Sequence, residues 1–110
     1  MVITFKDKKL GKIANDDRKM LSQLGKIRAA KFKQRLDDMR AAFCLEDLRF
    51  APGHYHELVG DKKGEWACDL DQPFRLTFSP HENPIPVNDH GQYLWDSICG
   101  IEILEITNYH

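Results

Sequence analysis

The spacing of the apolar residues is helical in the first half of the chain and strand-like in the second. The opening "VITF" is β-branched and aromatic and predicts a first strand. From Lys6 to Arg49 the period is helical, with a short helix in "KDKKLGKIAND" and a longer one that begins at a cap among Asn15, Asp16 and Asp17. An apolar stripe at steps of three and four predicts the buried face of the longer helix: Ala29, Phe32, Leu36, Met39 and Phe43.

The rest of the longer helix is basic. Lys26, Lys33 and Arg40 are seven residues apart, and Arg28 and Arg35 lie beside them, so these side chains are expected to face solvent. Gly25 is a candidate interruption of the helix, because glycine is a weak helix former.

After "APG" at residues 51–53 the apolar period shifts towards two. "HYHELV", "EWACDLD" and "FRLTFS" are predicted strands, connected by "GDKKG" and "QP". Alternation in the third of these strands places Arg75 on the polar face of the sheet, away from the core. The last strand, from about Ile101 to Tyr109, is apolar on both faces in its first half, which predicts a central position in the sheet.

The connection at residues 79–100 is too long for a hairpin turn. Three prolines lie in its first half, and "GQYLWDSI" predicts a short helix. Tyr93 and Trp95 are expected to pack on the sheet, because paired aromatic residues more often fill a core than bind a ligand.

Length and composition indicate a single domain, residues 1–110, of an ordinary globular kind. No apolar run approaches the roughly 20 residues of a membrane span, and the first residues lack the apolar segment of a signal peptide. Cys44, Cys68 and Cys99 each lie among apolar neighbours and are expected to be buried thiols. Such cysteine usage is typical of a reducing compartment and predicts the cytoplasm.

The net charge of -1 conceals an uneven distribution of charge. Residues 1–49 hold 13 Lys and Arg against 7 Asp and Glu, whereas residues 50–110 hold 3 against 10. The basic half suggests an anionic partner such as nucleic acid. Mutual neutralisation of the two halves across the fold explains the same pattern, and the sequence does not separate these alternatives.

Metal and thiol chemistry find little support in the sequence. The possible metal ligands are five histidines: His54, His56, His81, His90 and His110. His54 and His56 share a strand face, but no cysteine has zinc-finger spacing and the HExxH pattern is absent, so neither a metal nor another cofactor is predicted. Nucleophilic catalysis by a cysteine requires an exposed, activated thiol, which the apolar setting of all three cysteines disfavours.

The remaining candidates suit cleavage of RNA by its own 2′-hydroxyl group. They are His56, Arg75, Tyr109 and His110, with Lys62 and Lys63 in the adjoining loop. Imidazole can accept or give a proton near neutral pH, and arginine can stabilise charge on a phosphate in the transition state. Tyrosine can stack on a splayed base, and no metal is required.

A purely structural role is possible for each of these residues. His56 could be a half-buried strand residue and His110 a frayed terminal one. Arg75 could pair with Asp69 on the neighbouring strand. Tyr109 could cover the core, and the two lysines could belong to an ordinary exposed loop.

Four stretches resemble, in order and spacing, the HigB-type killer toxins of the RelE superfamily. They are "FKDKKL", "HELVGDKKGEW", "FRLTF" and "EILEITNYH", and together they span nearly the whole chain. The resemblance implies an α+β fold, with two N-terminal helices packed on a small antiparallel sheet. It also implies a metal-independent endoribonuclease that cleaves mRNA on the ribosome. The implied partner is a cognate helix-turn-helix antitoxin, which would form an oligomeric complex with the toxin.

By position, the residues of the candidate site match those that the family uses. His56, Arg75, Tyr109 and His110 match its catalytic residues, and Lys62 and Lys63 match its basic loop.

Two positions depart from the family pattern. Val59 stands where members commonly carry Lys, and Asp69 stands where they commonly carry Arg. A carboxylate at residue 69 would repel phosphate and could hold Arg75 in a local pair. The alternative function is therefore a catalytically weakened or inactive module of the same fold that binds a regulatory protein or RNA.

Overall fold

The computed structural model describes residues 1–108. Within that range the helices are α1 (Lys8–Ala14), α2 (Asp17–Leu24) and α3 (Lys26–Ala41). The strands are β1 (Val2–Phe5), β2 (His56–Glu57), β3 (Trp66–Asp69), β4 (Phe74–Pro80) and β5 (Gly100–Asn108). Short 3-10 helices cover Leu45–Phe50, Gly60–Lys62 and Trp95–Ser97. The predicted α+β class is confirmed, as is the short helical segment near Trp95.

Side-chain caps and one glycine determine where the helices begin and end. The Asp7 carboxylate accepts a hydrogen bond from the Lys9 amide, and the Asp16 carboxylate accepts from the amides of Arg18 and Lys19. Gly25 has a φ of +80°, which ends α2 and separates it from α3. The longer predicted helix is therefore two helices, and the N-terminal region contains three helices rather than two.

The sheet has the strand order β1-β5-β4-β3-β2. β5 lies between β1 and β4, which confirms the predicted interior position of the last strand. The predicted small antiparallel sheet is formed by β2, β3, β4 and β5, and β1 extends it at one edge by running parallel to β5. The long chain segment between β1 and β5 makes this parallel pairing possible.

One face of the sheet packs against α3. Ala29, Phe32, Leu36 and Met39 of α3 are buried in one cluster with Trp66 and Phe78 of the sheet, as the apolar stripe predicts. The fifth member of the stripe, Phe43, is 82% exposed because α3 ends at Ala41.

The prediction that the basic residues of α3 face solvent is wrong for two arginines. Arg28 forms a bidentate ion pair with Asp71, and its guanidinium lies 3.6 Å from the centre of the Phe74 ring. Arg35 is buried and its Nε donates a hydrogen bond to the Asp69 carbonyl at 2.8 Å. Partners distant in the sequence thus bring both side chains inward. Helical periodicity cannot predict these contacts, because it describes only residues within the same helix.

Residues 81–99 connect the neighbouring strands β4 and β5 as a mainly irregular segment. Trp95 is buried edge-on against Trp66, and Tyr93 packs against Trp95 with 4.8 Å between ring centres, as predicted for this aromatic pair.

Cys99 is exposed, contrary to the prediction, whereas Cys44 and Cys68 are buried. None of the helices in residues 1–108 combines the length and the apolar character that crossing a bilayer demands.

Candidate functional site

The face of the sheet opposite α3 carries two rows of polar side chains. Directly paired residues in neighbouring antiparallel strands point to the same face. The first row crosses β2, β3, β4 and β5 in that order, through His56, Ala67, Thr77 and Glu105, each of which is paired with the next. The second row consists of Asp69, Arg75 and Thr107, two residues further along the strands. The two rows are therefore about 7 Å apart.

His56 lies at the β2 end of the first row and is half-buried. Its Nδ1 is 2.7 Å from the carbonyl oxygen of His54, and the two imidazole rings are stacked with their centres 4.2 Å apart. His54 Nδ1 in turn lies 3.6 Å from Asp69 Oδ2. The sequence placed the two histidines on one face but considered His54 only as a metal ligand, and its contact with His56 was missed.

The backbone that carries the two histidines is held against the core. Tyr55, between them, is buried, and its hydroxyl donates to the Arg35 carbonyl at 3.3 Å. Gly53 has a φ of +119°, and a methyl group added to it would lie 2.6 Å from Arg35 Nε. The Gly53 carbonyl accepts a hydrogen bond from the Asp69 amide at 2.8 Å. Arg35 and β3 therefore fix the position of this loop.

Arg75 occupies the middle of the second row. It is half-buried in β4, opposite Asp69 of β3 on one side and opposite Thr107 of β5 on the other. The sequence predicted both its orientation away from the core and its position across from Asp69. Strand spacing puts the Cα atoms of His56 and Arg75 about 12 Å apart, a distance that two long side chains and a phosphate can span.

The two lysines of the basic loop line different cavities. Lys62 borders a groove of about 440 Å³, together with Lys6, Thr77 and Glu105 of the same sheet face. Asp7, Glu65 and Leu104 complete the lining of this groove. Lys63 instead borders a cavity of about 480 Å³, and its Nζ lies 5.6 Å from the centre of the Tyr93 ring. Of these two lysines, Lys62 is therefore the one that lies beside members of the first row.

Charges within the Lys62 groove are mixed. Lys6 and Lys62 face three carboxylates, those of Asp7, Glu65 and Glu105. Val59, the first departure from the family pattern, is 84% exposed in the adjoining loop and adds no charge. A groove of this composition attracts phosphate less strongly than a uniformly basic one.

Two buried ionisable groups in or beside the loop at residues 53–56, the side chains of Tyr55 and Cys68, remain protonated near neutral pH. Burial raises the pKa of the Cys68 thiol to about 12. Burial also raises the pKa of the Tyr55 hydroxyl, well above its ordinary value. A neutral, inaccessible thiol such as that of Cys68 cannot serve as a nucleophile.

Two predicted site residues, Tyr109 and His110, lie outside the described residues. The pairing of β5 with β4 continues as far as Asn108, which is opposite Phe74. In residues 1–108, no group of three or more His, Cys, Asp or Glu side chains is arranged to hold a metal ion.

Comparison with known proteins shows a shared fold at low sequence identity. No protein-family model matches the chain, and no curated protein matches it either. Among solved structures, the chain is similar to the YoeB-YefM complex from Staphylococcus aureus, with a TM-score of 0.59 and 16% identity over 100% of this chain and 97% of that chain.

Two further structures support the same fold. The YoeB dimer from Staphylococcus aureus has a TM-score of 0.56 and 19% identity over 100% of this chain and 97% of that chain. The YoeB/ParE toxin from Agrobacterium tumefaciens has a TM-score of 0.52 and 13% identity over the whole of both chains. The fold is thus the one seen in these YoeB and YoeB/ParE structures.

Proposed function

We propose that this protein is the toxin of a type II toxin-antitoxin pair, a metal-independent endoribonuclease that cleaves mRNA on the ribosome. The observation that carries the proposal is the sheet face opposite α3. Three features support the proposal: His56 and Arg75 stand in the two rows of this face, Lys62 borders the groove beside Thr77 and Glu105 of the first row, and the fold is shared with structures of YoeB toxins.

The proposed chemistry divides proton transfer and charge stabilisation among these residues. His56 or His110 takes the proton from the 2′-hydroxyl, and the other gives a proton to the leaving oxygen or contacts the phosphate. Arg75 stabilises the charge that develops on the phosphate, and Tyr109 orients or stacks on the substrate. Lys62 and Lys63 hold the RNA backbone, so binding should weaken as salt is raised.

The proposed partners follow from the same assignment. A cognate helix-turn-helix antitoxin would bind and neutralise the protein, and the YoeB-YefM structure gives a precedent for a complex of this fold with a second protein. The HigB subgroup, suggested by the four sequence stretches, is part of this proposal. Translating ribosomes place the protein in the cytoplasm.

The test is growth arrest followed by primer extension on cellular mRNA after induction. Wild-type protein is expected to arrest growth and to cut mRNA within translated codons. His56→Ala and His110→Ala should lose the cuts, whereas His90→Ala, which removes an exposed imidazole from the segment between β4 and β5, should keep them. Equal cleavage by the wild type and the His56 and His110 variants would refute the site.

A second function is favoured by the carboxylates on the candidate face. Asp69 is opposite Arg75, and Glu105 stands in the first row, where both would repel phosphate. In this alternative the chain is an inactive module that binds a regulatory protein or RNA. Replacing the exposed Glu105 with lysine discriminates between the two: a gain of toxicity indicates a weakened nuclease, and unchanged absence of toxicity indicates the module.

A further inference from the structure

His54 and Asp69 lie beside His56 in an arrangement that constrains the His56 ring. A backbone carbonyl can only accept hydrogen bonds, so the 2.7 Å contact between His56 Nδ1 and the His54 carbonyl requires a proton on Nδ1. In a neutral imidazole the other nitrogen, Nε2, then carries the lone pair. The contact therefore selects the tautomer in which Nε2 is able to accept a proton.

The side chain of His54 restricts the rotation of the same ring. The two imidazoles are nearly parallel, with 22° between their planes, so the His54 ring covers one face of His56. His54 is itself oriented by Asp69, whose Oδ2 lies 3.6 Å from His54 Nδ1. Contacts on the edge and on the face of one ring together define its plane.

The backbone of His54 also indicates that this arrangement is maintained by the surrounding structure. His54 has a φ of +56°, a left-handed conformation that non-glycine residues adopt rarely and that the surrounding structure must maintain. The buried Tyr55, which follows it, and the hydrogen bond between the Gly53 carbonyl and the Asp69 amide supply that support.

We propose that His54 and Asp69 are positioning residues for His56: they hold its ring plane and keep Nε2 as the acceptor nitrogen. In the proposed RNA cleavage, which this inference takes as its premise, His56 is then the base that takes the 2′-hydroxyl proton. Asp69, a departure from the family pattern, acquires a role that does not involve phosphate.

The test combines nitrogen-15 NMR of the imidazole rings with assays in which the purified protein cleaves mRNA bound to translating ribosomes. At about pH 8.5 imidazoles are neutral, and the nitrogen shifts distinguish a protonated from an unprotonated nitrogen. We expect His56 Nε2 to be unprotonated in the wild type. His54→Asn and Asp69→Asn keep the His54 carbonyl but loosen the His56 ring, so Nδ1 should face that carbonyl for less of the time. The tautomer with a proton on Nε2 should then become a larger fraction. Asparagine tolerates a positive φ, so His54→Asn preserves the backbone and its carbonyl. His90→Asn, at an exposed site, is the matched control and should leave His56 unchanged.

Cleavage should fall about 100-fold in His54→Asn, the scale of loss from a misplaced reacting group. Two outcomes overturn the inference: a proton on His56 Nε2 in the wild type, or an unchanged tautomer ratio in both variants. If the wild type cuts no RNA while the tautomers behave as expected, the proposed nuclease fails and the positioning of the ring stands.

Discussion

The close approach of Gly53 to Arg35 permits a quantitative test of what holds the loop at residues 53–56, which carries His54 and His56. In Gly53→Ala the new methyl group would lie 2.6 Å from Arg35 Nε and 2.7 Å from Cζ, distances at which an atom must move. The φ of +119° is also strained for alanine and costs about 1–3 kcal/mol. A displaced Arg35 would lose its hydrogen bond to the Asp69 carbonyl. A hydrogen bond from a charged donor contributes about 1.5–3 kcal/mol to the free energy of unfolding.

These two contributions together predict a loss of about 4 kcal/mol in the free energy of unfolding. With a urea dependence of about 2 kcal/mol per molar, the unfolding midpoint should fall by about 2 M. Gly91→Ala is the control, because Gly91 also has a positive φ, +75°, but nothing lies within 4 Å of the added methyl group. It should cost only about 1–2 kcal/mol, the conformational part.

A double variant separates the clash from the conformational cost. In an Arg35→Ala background, Gly53→Ala should cost no more than Gly91→Ala does in the wild type, because the colliding guanidinium is gone. The coupling between the two sites should be about 2 kcal/mol. Equal costs for Gly53→Ala and Gly91→Ala in the wild-type chain would refute the reasoning and show that Arg35 does not hold the loop.

Four further predictions concern the core and its edges. Alkylation of folded protein should modify Cys99, which is exposed, and spare Cys68 until the chain unfolds. Burial raises the pKa of the Cys68 thiol to about 12, so above about pH 9 the folded state keeps a proton that the unfolded thiol releases. The free energy of unfolding should therefore fall by about 1.4 kcal/mol per pH unit as the pH rises from about 9 towards 12. Arg28→Lys loses the bidentate pair with Asp71 and the stacking on a ring, and should cost about 1 kcal/mol. Phe43→Ser should change stability by less than about 0.5 kcal/mol, since the ring is exposed.

Each of these predictions has a control or an opposing result that decides it. Mass spectrometry that finds Cys68 alkylated as fast as Cys99 would contradict its burial. If Cys68→Ala retains the same fall in stability at high pH, another group causes that fall. Arg40→Lys, at an exposed pair 3.5 Å long, should be neutral in urea unfolding, and a similar loss there would remove the special role of Arg28. A large loss in Phe43→Ser would mean that this ring packs on the core.

The sequence predicted those parts of the candidate site that depend on strand alternation. Arg75 lies on the predicted face of β4, and the register brings it opposite Asp69 as expected. His54 was missed as a positioning residue, because it precedes β2 and its ring reaches His56 only through a positive φ. A histidine directly after Gly53 in "APGH" is the signal that could have indicated a tight backbone conformation there.

Solvent exposure was predicted less well for charged side chains. Helical periodicity assigned Arg28 and Arg35 to the exposed surface, although their partners, Asp71 and the Asp69 carbonyl, draw them inward. These partners are 43 and 34 residues away in sequence. No local pattern contains that information, because a long side chain adopts whichever orientation satisfies its charge.

By itself, the sequence determined the local features of this protein. Periodic apolar residues, capping aspartates and Gly25 specify where helices and strands form, because those choices depend on neighbours a few residues away. Only the tertiary structure decided that β1 pairs parallel to β5, that Lys62 and Lys63 line different cavities, and that His54 and Asp69 contact His56 and each other. Those features depend on segments that are distant in the chain, and it is the packing of a single core that brings them together.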